Sequence, residues 1–511
     1  MKKEVCDKEQ VNSWIRQGKK FICFGIGDML HGLCGEFPIA DHMRQISDFN
    51  PVLWGDNLHE GGVSVPIVSP EEMNPREGEI VLITTPYHQQ VEELLKTQEK
   101  WRDVKTVYYI PSVSDSNFNR IKMDLSSLPI QDKLVFRSGL EKYVEGFDYS
   151  DNSRALFEYL IKHDYQKRYV MVWYVHNPDD FPELKNLENI FLVSYEWAVS
   201  SKYEEYFTYF YHLYTAKYLF TTDASFWMRY CRNGQTRVNL WHGCGFKDRK
   251  GKTGPTGKNY DFMTVTSPLY ADIHAEEYGC AKTQLLSTGL AKQDWLFQPF
   301  DETLSELLDV PAASKYVFWL PTFRMAVEGL ERLNEYEVDS DTGFPIVKDE
   351  TTVRRLDQLL QSLDICMIVK LHPVQKNTCM AHWNLSNIRV LENREIAAKD
   401  LPINRLLAQA DAIISDYSSI AVDYMLLDRP IAFMLEDMEQ YGKSRGFVFE
   451  NLLDYLPGEF LYDFNDLKRF LVEISEGRDE SAEKRRKLMK VMHSHQDGNS
   501  CRRILEAIGL A

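Results

Sequence analysis

The sequence predicts an α/β protein of three consecutive Rossmann-like blocks, in which the second and third are paired as two lobes. Short apolar runs rich in Val, Ile, Phe and Tyr alternate with longer helical patterns along most of the 511 residues. Such alternation is typical of parallel sheets with crossover helices. The length exceeds what one hydrophobic core usually supports, so several domains are expected.

Composition and charge limit the classes of partner. The net charge of −17 argues against nucleic-acid binding, which needs a basic face. The nine cysteines are scattered without CxxC pairs, as in a reducing cytoplasm. The N-terminus lacks the apolar core of a signal peptide, and no apolar run approaches the ~20 residues that span a bilayer. We therefore expect a cytoplasmic protein, with peripheral binding to a membrane surface left open.

The first block, residues 1–130, is predicted to be a small Rossmann-like module. The segment KKFICFGIGDMLHG is a strand that enters a glycine-rich turn and then a helix. Gly25 and Gly27, with Asp56 about thirty positions on, form a loose dinucleotide-type fingerprint. The pattern fits either a bound nucleotide or a bare fold whose glycines only permit a tight turn. We expect this block to be separable from the chemistry, so that a chain beginning near Glu141 keeps activity.

The second block, residues 147–305, is predicted to form the acceptor lobe. Strands are expected at RYVMVWYV, IFLVS, YLFTT, RVNLW and FMTVT. Between them, residues 203–218 carry eight aromatic side chains in sixteen positions. This segment is either a helix packed against its sheet or a surface that contacts the membrane interface, where Tyr is favoured.

The third block, residues 312–495, supplies strands at KYVFWLP, ICMIVKLHP, IRVLE, DAIISDYSS and RPIAFM. Residues 496–511 are expected to form a terminal amphipathic helix that can cross back to the preceding lobe. Two successive doubly wound domains with such a helix indicate a GT-B-type pair, preceded here by the additional small domain. Ligands of these sheets lie at the carboxyl ends of the strands.

Four motifs stand at predicted strand ends: LWHG (240–243), PTFR (321–324), KLHP (370–373) and SDYSS (415–419). His242 has the pKa range needed to take a proton from an alcohol near neutral pH. His372, directly before a proline, is placed to hydrogen-bond a phosphate oxygen or a leaving group. A single histidine after a strand is more often structural, and it is the set of motifs in this order that indicates a site.

The other polar residues of these motifs suit an anionic ligand. Arg324 and Lys370 carry positive charge that can neutralise phosphate oxygens. Ser418 and Ser419 open a helix whose amides and hydroxyls suit a diphosphate, although such a turn is often only a helix cap.

A basic segment follows His242. Lys247, Lys250 and Lys252 lie among glycines in an otherwise acidic protein. We expect this charge to face a cleft where an anionic acceptor or a diphosphate donor arrives. The alternative is a solvated loop, as runs of charge usually are.

The segments LWHGCGFK, WLPTFR, IVKLHP and ISDYSSIAVDYMLLDRPIAFMLEDMEQYGKSRGFVFE resemble the CDP-glycerol glycerophosphotransferase family, the teichoic-acid primases and polymerases. The resemblance covers about residues 147–505 and implies a cytoplasmic enzyme, peripheral at the inner face of the cell membrane. It implies transfer of glycerol phosphate or ribitol phosphate from a CDP-activated donor to a hydroxyl of a lipid-linked or polymeric anionic acceptor, with release of CMP. The product would be a teichoic-acid-like or capsular polymer.

The same resemblance assigns residues. His242 is implied as the catalytic base and His372 as its partner at the donor phosphates. The implied donor and phosphate contacts, with their near neighbours, are Thr322, Arg324, Lys370, Asp416, Ser418, Ser419 and Asp423. The family's GYPRND turn appears here as GLAKQD (289–294), in which Lys292 only partly replaces an arginine.

Two other functions stay open at this point. A GT-B glycosyltransferase would move a sugar from a nucleotide sugar and release a nucleoside diphosphate instead of CMP. A non-catalytic or NAD-dependent role would centre on the first block, although no Tyr-x-x-x-Lys pattern follows it. No cofactor is identified, and the need for a divalent metal, the choice of polyol and the number of units added are left open.

Overall fold

A computed structural model of the protein describes residues 1–50, 53–85, 88–139, 147–223, 226–248, 256–322, 340–372 and 379–510. Three mainly parallel sheets follow one another along the chain. Three of the predicted site residues, Arg324, Lys250 and Lys252, lie outside the described residues.

The first sheet is Rossmann-like, as expected. Its strands are β1 (Lys2–Val5), β2 (Phe21–Phe24), β3 (Met43–Ser47), β4 (Asn57–Glu60), β5 (Val63–Val68), β6 (Ile80–Ile83) and β7 (Thr106–Tyr109), and its helices are α1 (Lys8–Arg16), α2 (Asp28–Glu36) and α3 (His88–Thr97). The order is β1-β7-β6-β2-β3-β5-β4, parallel except for the β4–β5 hairpin. All four residues of β2 are buried, which is typical of a central parallel strand. The winding direction reverses between β2 and β6, so the ligand crevice of this fold would lie there.

The acidic member of the dinucleotide-type fingerprint is corrected by the structure. Asp56 lies in an exposed turn before the β4–β5 hairpin at the sheet edge, not at the end of β3. The carboxylate at that end belongs to Asp48, and it accepts a hydrogen bond from the backbone N–H of Ile26 at 2.8 Å. Gly25 has a φ of +111°, and a Cβ added there would lie 2.5 Å from Cβ of Thr85. The glycine turn therefore serves the packing of its own sheet.

The second sheet contains every strand predicted for that block. Its strands are β8 (Gln131–Arg137), β9 (Val170–Val175), β10 (Ile190–Ser194), β11 (Ala216–Thr221), β12 (Thr236–Asn239), β13 (Phe262–Thr264) and β14 (Leu285–Leu286), and its helices are α4 (Val113–Ser126), α5 (Asp151–Lys162), α6 (Pro182–Lys185), α7 (Tyr203–Thr215) and α8 (Pro268–Tyr278). The order is β10-β9-β8-β11-β12-β13-β14, and all neighbours are parallel.

The second sheet reaches further back along the chain than the expected boundary at residue 147, because β8 is one of its interior strands, between β9 and β11. The sequence did not predict β8, since its first three residues are polar and its apolar run is only three residues long. Lys133 is nevertheless buried, and its Nζ donates to Oγ1 of Thr215 at 2.7 Å. A chain beginning near Glu141 would lose this strand, which argues against the expectation that such a chain stays active.

The helix that joins the first two blocks also packs on the second lobe. Phe118 and Ile121 of α4 share a hydrophobic core with Tyr209 and Phe210 of α7. The aromatic segment is therefore mainly a packed helix that ends at Thr215, with most of its rings in the core. This favours the packing interpretation over a membrane-contacting surface.

The third sheet completes the expected two-lobed arrangement. Its strands are β15 (Lys315–Trp319), β16 (Ile365–Lys370), β17 (Ile388–Leu391), β18 (Ala412–Ser415), β19 (Ile431–Met434) and β20 (Glu459–Leu461), in the parallel order β17-β16-β15-β18-β19-β20. The helices from this part of the chain are α9 (Leu304–Leu308), α10 (Glu350–Ser362), α11 (Asn393–Ala398), α12 (Ile403–Leu407), α13 (Ile420–Tyr424), α14 (Met438–Ser444), α15 (Leu452–Tyr455), α16 (Phe464–Ser475), α17 (Ala482–Met492) and α18 (Ser500–Ala507). The GT-B-type pair of Rossmann-like domains after an extra domain is confirmed.

The last helix returns to the second lobe. The carboxylate of Asp294 accepts hydrogen bonds from the backbone N–H groups of Ser500 and Cys501 at 2.7 and 2.9 Å. Two amides at the start of α18 are thereby satisfied by a side chain from the other lobe. In the part of the chain that is described, no helix has both the length and the apolar content to cross a bilayer.

Candidate active site between the two lobes

Three of the four strand-end motifs converge between the lobes. His242 follows β12 of the second sheet, His372 follows β16, and Ser418 and Ser419 follow β18. All four side chains line one cavity of about 130 Å³. One imidazole thus comes from the second lobe, while the second imidazole and both hydroxyls come from the third.

Glycine makes this close approach of the lobes possible. A Cβ added at Gly243 would lie 2.8 Å from Cβ of Ser419, and one at Gly245 would lie 3.1 Å from the same atom. Just beyond, the N–H of Val448 donates to the carbonyl oxygen of Phe246 at 2.9 Å, so backbone bonds join the two lobes. The glycines of LWHGCGFK therefore set the distance between His242 and the serine turn.

A larger cavity of about 280 Å³ adjoins the first and shares His372 and Ser418 with it. Its walls include the rings of Tyr149, Phe181 and Trp295. An aromatic chamber that ends at polar side chains suits a ligand with a flat, partly apolar group at one end and charge at the other.

Lys370 lies at the end of β16 and lines the larger cavity. Its Nζ donates to the carbonyl of Leu371 and to Oδ1 of Asn393, the latter at 2.6 Å. Burial lowers the pKa of this amine to about 7, because a desolvated ammonium is disfavoured. An anion placed beside it would restore the charged form.

Thr322 and Asp416 brace the third sheet. Asp416 accepts from the backbone N–H of Thr322 at 2.8 Å, from the Thr322 hydroxyl, and from the N–H of Tyr417 at 2.6 Å. These bonds join the ends of β15 and β18, where the winding direction reverses. Neither Thr322 nor Asp416 is among the described residues that line the two cavities, and their assignment as donor contacts stays a prediction.

Asp423 forms a contact between the lobes, and its predicted place among the donor residues stays a prediction. It is buried on α13, lines neither cavity among the described residues, and accepts from Nε2 of Gln293 at 2.6 Å. Burial raises the pKa of Asp423 to about 6, although the nearby Lys292 ammonium opposes that shift. Asp423 therefore connects the lobes behind Ser419.

Among the described residues, the Ser419 side chain does not serve as a helix cap. Ser419 stands directly before α13, and among the described residues its side chain makes no capping bond to that helix. The alternative that the serine turn is only a cap is therefore not supported for Ser419.

The basic segment is described only in part. Lys247 lines the smaller cavity, and its Nζ lies 5.9 Å from the centre of the Tyr441 ring in the third lobe. Further along, Lys258 pairs with Glu93 of α3 at 2.8 Å. The expectation that Lys250 and Lys252 face an anionic acceptor stays a prediction.

Sequence analysis missed a third imidazole at this site, that of His274. His274 Nδ1 lies 2.7 Å from Glu277 Oε2, and both residues line the smaller cavity beside His242. Their spacing of three on α8 is a usable signal, because it places both on one helix face. Nothing in the sequence, however, connects α8 to the LWHG motif.

An ion pair between the lobes was also missed. Arg154 of α5 and Asp400 of the third lobe form a forked pair, with one N–O distance of 2.8 Å. The Arg154 guanidinium lies over the Tyr149 ring at 4.7 Å. Both charged residues line the larger cavity, so this pair closes one of its sides.

Within the described ranges, no group of three or more His, Cys, Asp or Glu side chains is arranged to hold a metal ion.

Comparisons with known proteins identify one enzyme family. The family model described as CDP-Glycerol:Poly(glycerophosphate) glycerophosphotransferase matches residues 125–510. The chain is 25% identical over 415 residues to a teichoic acid glycerol-phosphate transferase of Staphylococcus aureus (strain NCTC 8325 / PS 47), covering 75% of this chain and 94% of that protein.

Other relatives are matched over shorter stretches. A teichoic acid glycerol-phosphate primase of Bacillus subtilis (strain 168) is 28% identical over 209 residues, which is 41% of this chain and 48% of the relative. The teichoic acid ribitol-phosphate polymerase TarK of the same Staphylococcus aureus strain is 25% identical over 316 residues, 57% of this chain and 56% of the relative. The chain thus spans about half the length of these two proteins.

A solved structure supports the fold. The wall teichoic acid polymerase TagF is similar with a TM-score of 0.58 at 19% identity, over 83% of this chain and 96% of that one.

Proposed function

The chain belongs to the CDP-glycerol:poly(glycerophosphate) glycerophosphotransferase family, and from that premise we propose that it transfers a polyol phosphate from a CDP-activated donor to a hydroxyl of a lipid-linked or polymeric anionic acceptor. CMP is the released product. The polyol is glycerol or ribitol, and the product is a teichoic-acid-like or capsular cell-surface polymer.

One observation carries the proposal. His242 of one lobe faces His372, Ser418 and Ser419 of the other across a cavity of about 130 Å³. Phosphoryl transfer needs a base for the incoming hydroxyl and hydrogen-bond donors for the phosphate oxygens, held in a fixed relative position. The two lobes supply these groups from opposite sides.

The chemistry follows from that arrangement. The acceptor oxygen attacks the phosphorus that carries the polyol, and His242 takes the hydroxyl proton. A new P–O bond forms as the bond from this phosphorus to the bridging oxygen breaks, and CMP leaves with the electron pair. His372 and Ser419 stabilise the charge that shifts to the phosphate oxygens.

The two cavities suggest how the donor lies. The larger one, with Tyr149, Phe181 and Trp295 in its walls, is suited to the cytidine, since aromatic rings pack against a flat base. The shared residues His372 and Ser418 then lie at the diphosphate, with Lys370 nearby. The polyol end points into the smaller cavity toward His242, which also receives the acceptor.

The partners and place of action are part of the proposal. Family membership supports a lipid-linked acceptor and therefore work at the inner face of the cell membrane, with peripheral attachment. Sedimentation of the protein with acidic phospholipid vesicles tests this, and the absence of binding to such vesicles would argue against peripheral attachment through lipid.

A donor panel tests the reaction. The protein is incubated with a lipid-linked acceptor and CDP-glycerol, CDP-ribitol or a UDP-sugar, with Mg²⁺ or with EDTA, and the nucleotide product is identified. We expect CMP from a CDP-polyol. Release of a nucleoside diphosphate from a nucleotide sugar would instead indicate a GT-B glycosyltransferase, and the EDTA arm decides whether a divalent metal is needed.

A further inference from the structure

We propose that Lys292 is a positioning residue for His242, acting through the main chain of the LWHG segment. This inference rests on the proposed function, because it takes His242 as the base. It adds a residue that lies outside the four strand-end motifs.

The main chain beside His242 is in an unusual conformation. Trp241 has a φ of +54°, in the left-handed region that bulky side chains rarely adopt. Its ring is buried, with its centre 4.0 Å from the centre of the His242 ring. Such a conformation persists only where the surroundings hold it, and residues of this kind cluster at functional sites.

Two side chains hold the carbonyl groups on either side of that bend. Nδ2 of Asn152 donates to the Trp241 carbonyl oxygen at 2.7 Å, and Nζ of Lys292 donates to the His242 carbonyl oxygen at 2.6 Å. The two holders are also bonded to each other, because the backbone N–H of Lys292 donates to Oδ1 of Asn152 at 2.9 Å. Together they form a clamp on two successive peptide units.

The clamp keeps its charge although it is buried. Lys292 is only 8% exposed, and Oδ2 of Asp151 lies 3.2 Å from its Nζ. Burial by itself would lower the pKa of Lys292, but the carboxylates of Asp151 and Asp423 outweigh burial and leave that pKa above its ordinary value. A charged donor makes a stronger bond to the His242 carbonyl than a neutral one.

The same turn reaches the donor side of the cleft. Gln293, the next residue, donates to Asp423 on α13, and α13 begins directly after Ser419. Residues 292 and 293 therefore tie the backbone of His242 and the helix behind Ser419 to one short turn. The position of His242 is thereby set relative to the donor serines as well as within its own lobe.

A catalytic base is effective only when it is held in reacting geometry. A displacement of about 1 Å from reacting geometry can lower a rate by about 100-fold. Lys292 also lines the larger cavity, but the diphosphate contacts proposed above, His372 and Ser418, lie on the third lobe. Loss of the clamp should therefore reduce kcat while the donor is still bound. A direct contact between Lys292 and the donor phosphates would instead weaken donor binding.

The test uses the full-length chain and two single variants. Lys292→Met removes the charged donor at similar length, and Lys292→Arg keeps charge and donors. We expect Lys292→Met to lower kcat for CMP release about 100-fold with the donor Kd within about twofold of wild type, and Lys292→Arg to recover part of the loss. Lys217→Met is the matched control, because Lys217 pairs with Asp132 in the same lobe at 3.3 Å and lines none of the described cavities.

A double-mutant cycle with His242→Ala decides whether Lys292 acts through His242. If it does, adding Lys292→Met to His242→Ala causes no further loss of kcat. Full additivity of the two effects, or a donor Kd that weakens in step with kcat/KM, would overturn the positioning role. If Lys292→Met does not fold, Asn152→Ala carries the same cycle, because it removes the bond to the Trp241 carbonyl.

The two proposals fail in different ways. Absence of CMP release by the wild type with every CDP-polyol would reject the proposed function, and the positioning role with it. Wild-type CMP release combined with an additive cycle would reject the positioning role alone.

Discussion

The first and third sheets have closely related topologies, yet the groups at their strand ends are used differently. In the first sheet, the Thr84 hydroxyl donates to the Gly25 carbonyl at 2.7 Å, and the Asp48 carboxylate accepts from the backbone of the glycine turn. In the third sheet, Asp416 braces the strand ends, while Ser418 and Ser419 line a cavity.

The two sheets differ in which polar groups at their strand ends remain available to a ligand. In the first block, Thr84 and Asp48 at the switch point form hydrogen bonds within their own fold, and Thr85 packs close against Gly25. In the third lobe, one carboxylate does the internal bonding and leaves hydroxyls, an amine and an imidazole facing a cavity. A shared topology therefore does not predict a shared function.

The largest expected effect comes from where the chain is cut. Removal of residues 1–140 deletes β8, an interior strand of the second sheet between β9 and β11, so we expect no soluble, active protein. Removal of residues 1–110 keeps α4 and β8 and should retain CMP release if the first block has no part in the chemistry. Circular dichroism and the CMP assay compare the two chains, and equal activity of both would contradict the central role of β8.

Replacement of the base should cause the next largest loss. His242→Ala is expected to lower kcat by about 10²–10⁴-fold, the usual contribution of a general base, with donor Kd little changed. Single-turnover rates with a CDP-polyol and calorimetric titration of the donor measure the two quantities. Turnover close to wild type in a folded variant would remove His242 from the mechanism.

The donor side of the cleft should respond in binding as well as in rate. His372→Ala and Ser419→Ala each remove a group proposed to contact the donor phosphates, and a hydrogen bond to a charged group contributes about 1.5–3 kcal/mol. We expect donor Kd to rise about 10-fold or more in each variant. Ser362→Ala, an exposed serine at the end of α10 in the same lobe, is the control; unchanged affinity in both site variants would place the donor elsewhere.

Lys370 gives a test of the donor side of the cleft that depends on pH. Its pKa of about 7 in the unliganded protein leaves the amine mostly neutral at pH 8, and a nearby diphosphate raises the pKa because it favours the ammonium. Donor binding at pH 8 should therefore take up protons, and Lys370→Met should take up fewer. Calorimetry in buffers of different ionisation enthalpy measures the uptake, and a wild type without buffer dependence would contradict the prediction.

The smallest effect is expected in the first block. A Cβ added at Gly27 meets no atom within 4 Å, so Gly27→Ala should leave both stability and CMP release unchanged. Gly25→Ala should lower the free energy of unfolding by about 1–3 kcal/mol, because its φ of +111° and the nearby Thr85 leave no room for a side chain. A loss of donor turnover in folded Gly27→Ala would show that the glycine turn takes part in function after all.

Local patterns explain which parts of the molecule the sequence predicts well. The run of β9 is apolar at every position, and that of β16 is apolar up to its last residue, Lys370. A run of this kind is visible without knowledge of its neighbours. β8 is the counterexample, because Lys133 looks like a surface residue until Thr215 and the Tyr211 ring are placed beside it.

The residues of the candidate site also fall into those that the sequence predicted and those that it did not. His242, His372, Ser418 and Ser419 were selected from their positions after predicted strands, and the structure brings all four to one cavity. The selection of Asp56 failed because the count of residues after the glycine turn did not identify the residue at the end of β3. Lys292 was noted only as a replaced arginine, and its bond to the His242 carbonyl could not be read from the sequence.

The amino-acid sequence by itself determined the three α/β blocks and the strand ends at which polar side chains would stand, because both depend on the periodicity and chemistry of neighbouring residues. Only the tertiary structure decided which strand ends face each other, which polar groups are used up inside the fold, and which remain in a cavity. Those outcomes depend on hydrogen bonds and close packing between residues that are far apart in the chain, such as Lys292 with His242 and Gly243 with Ser419.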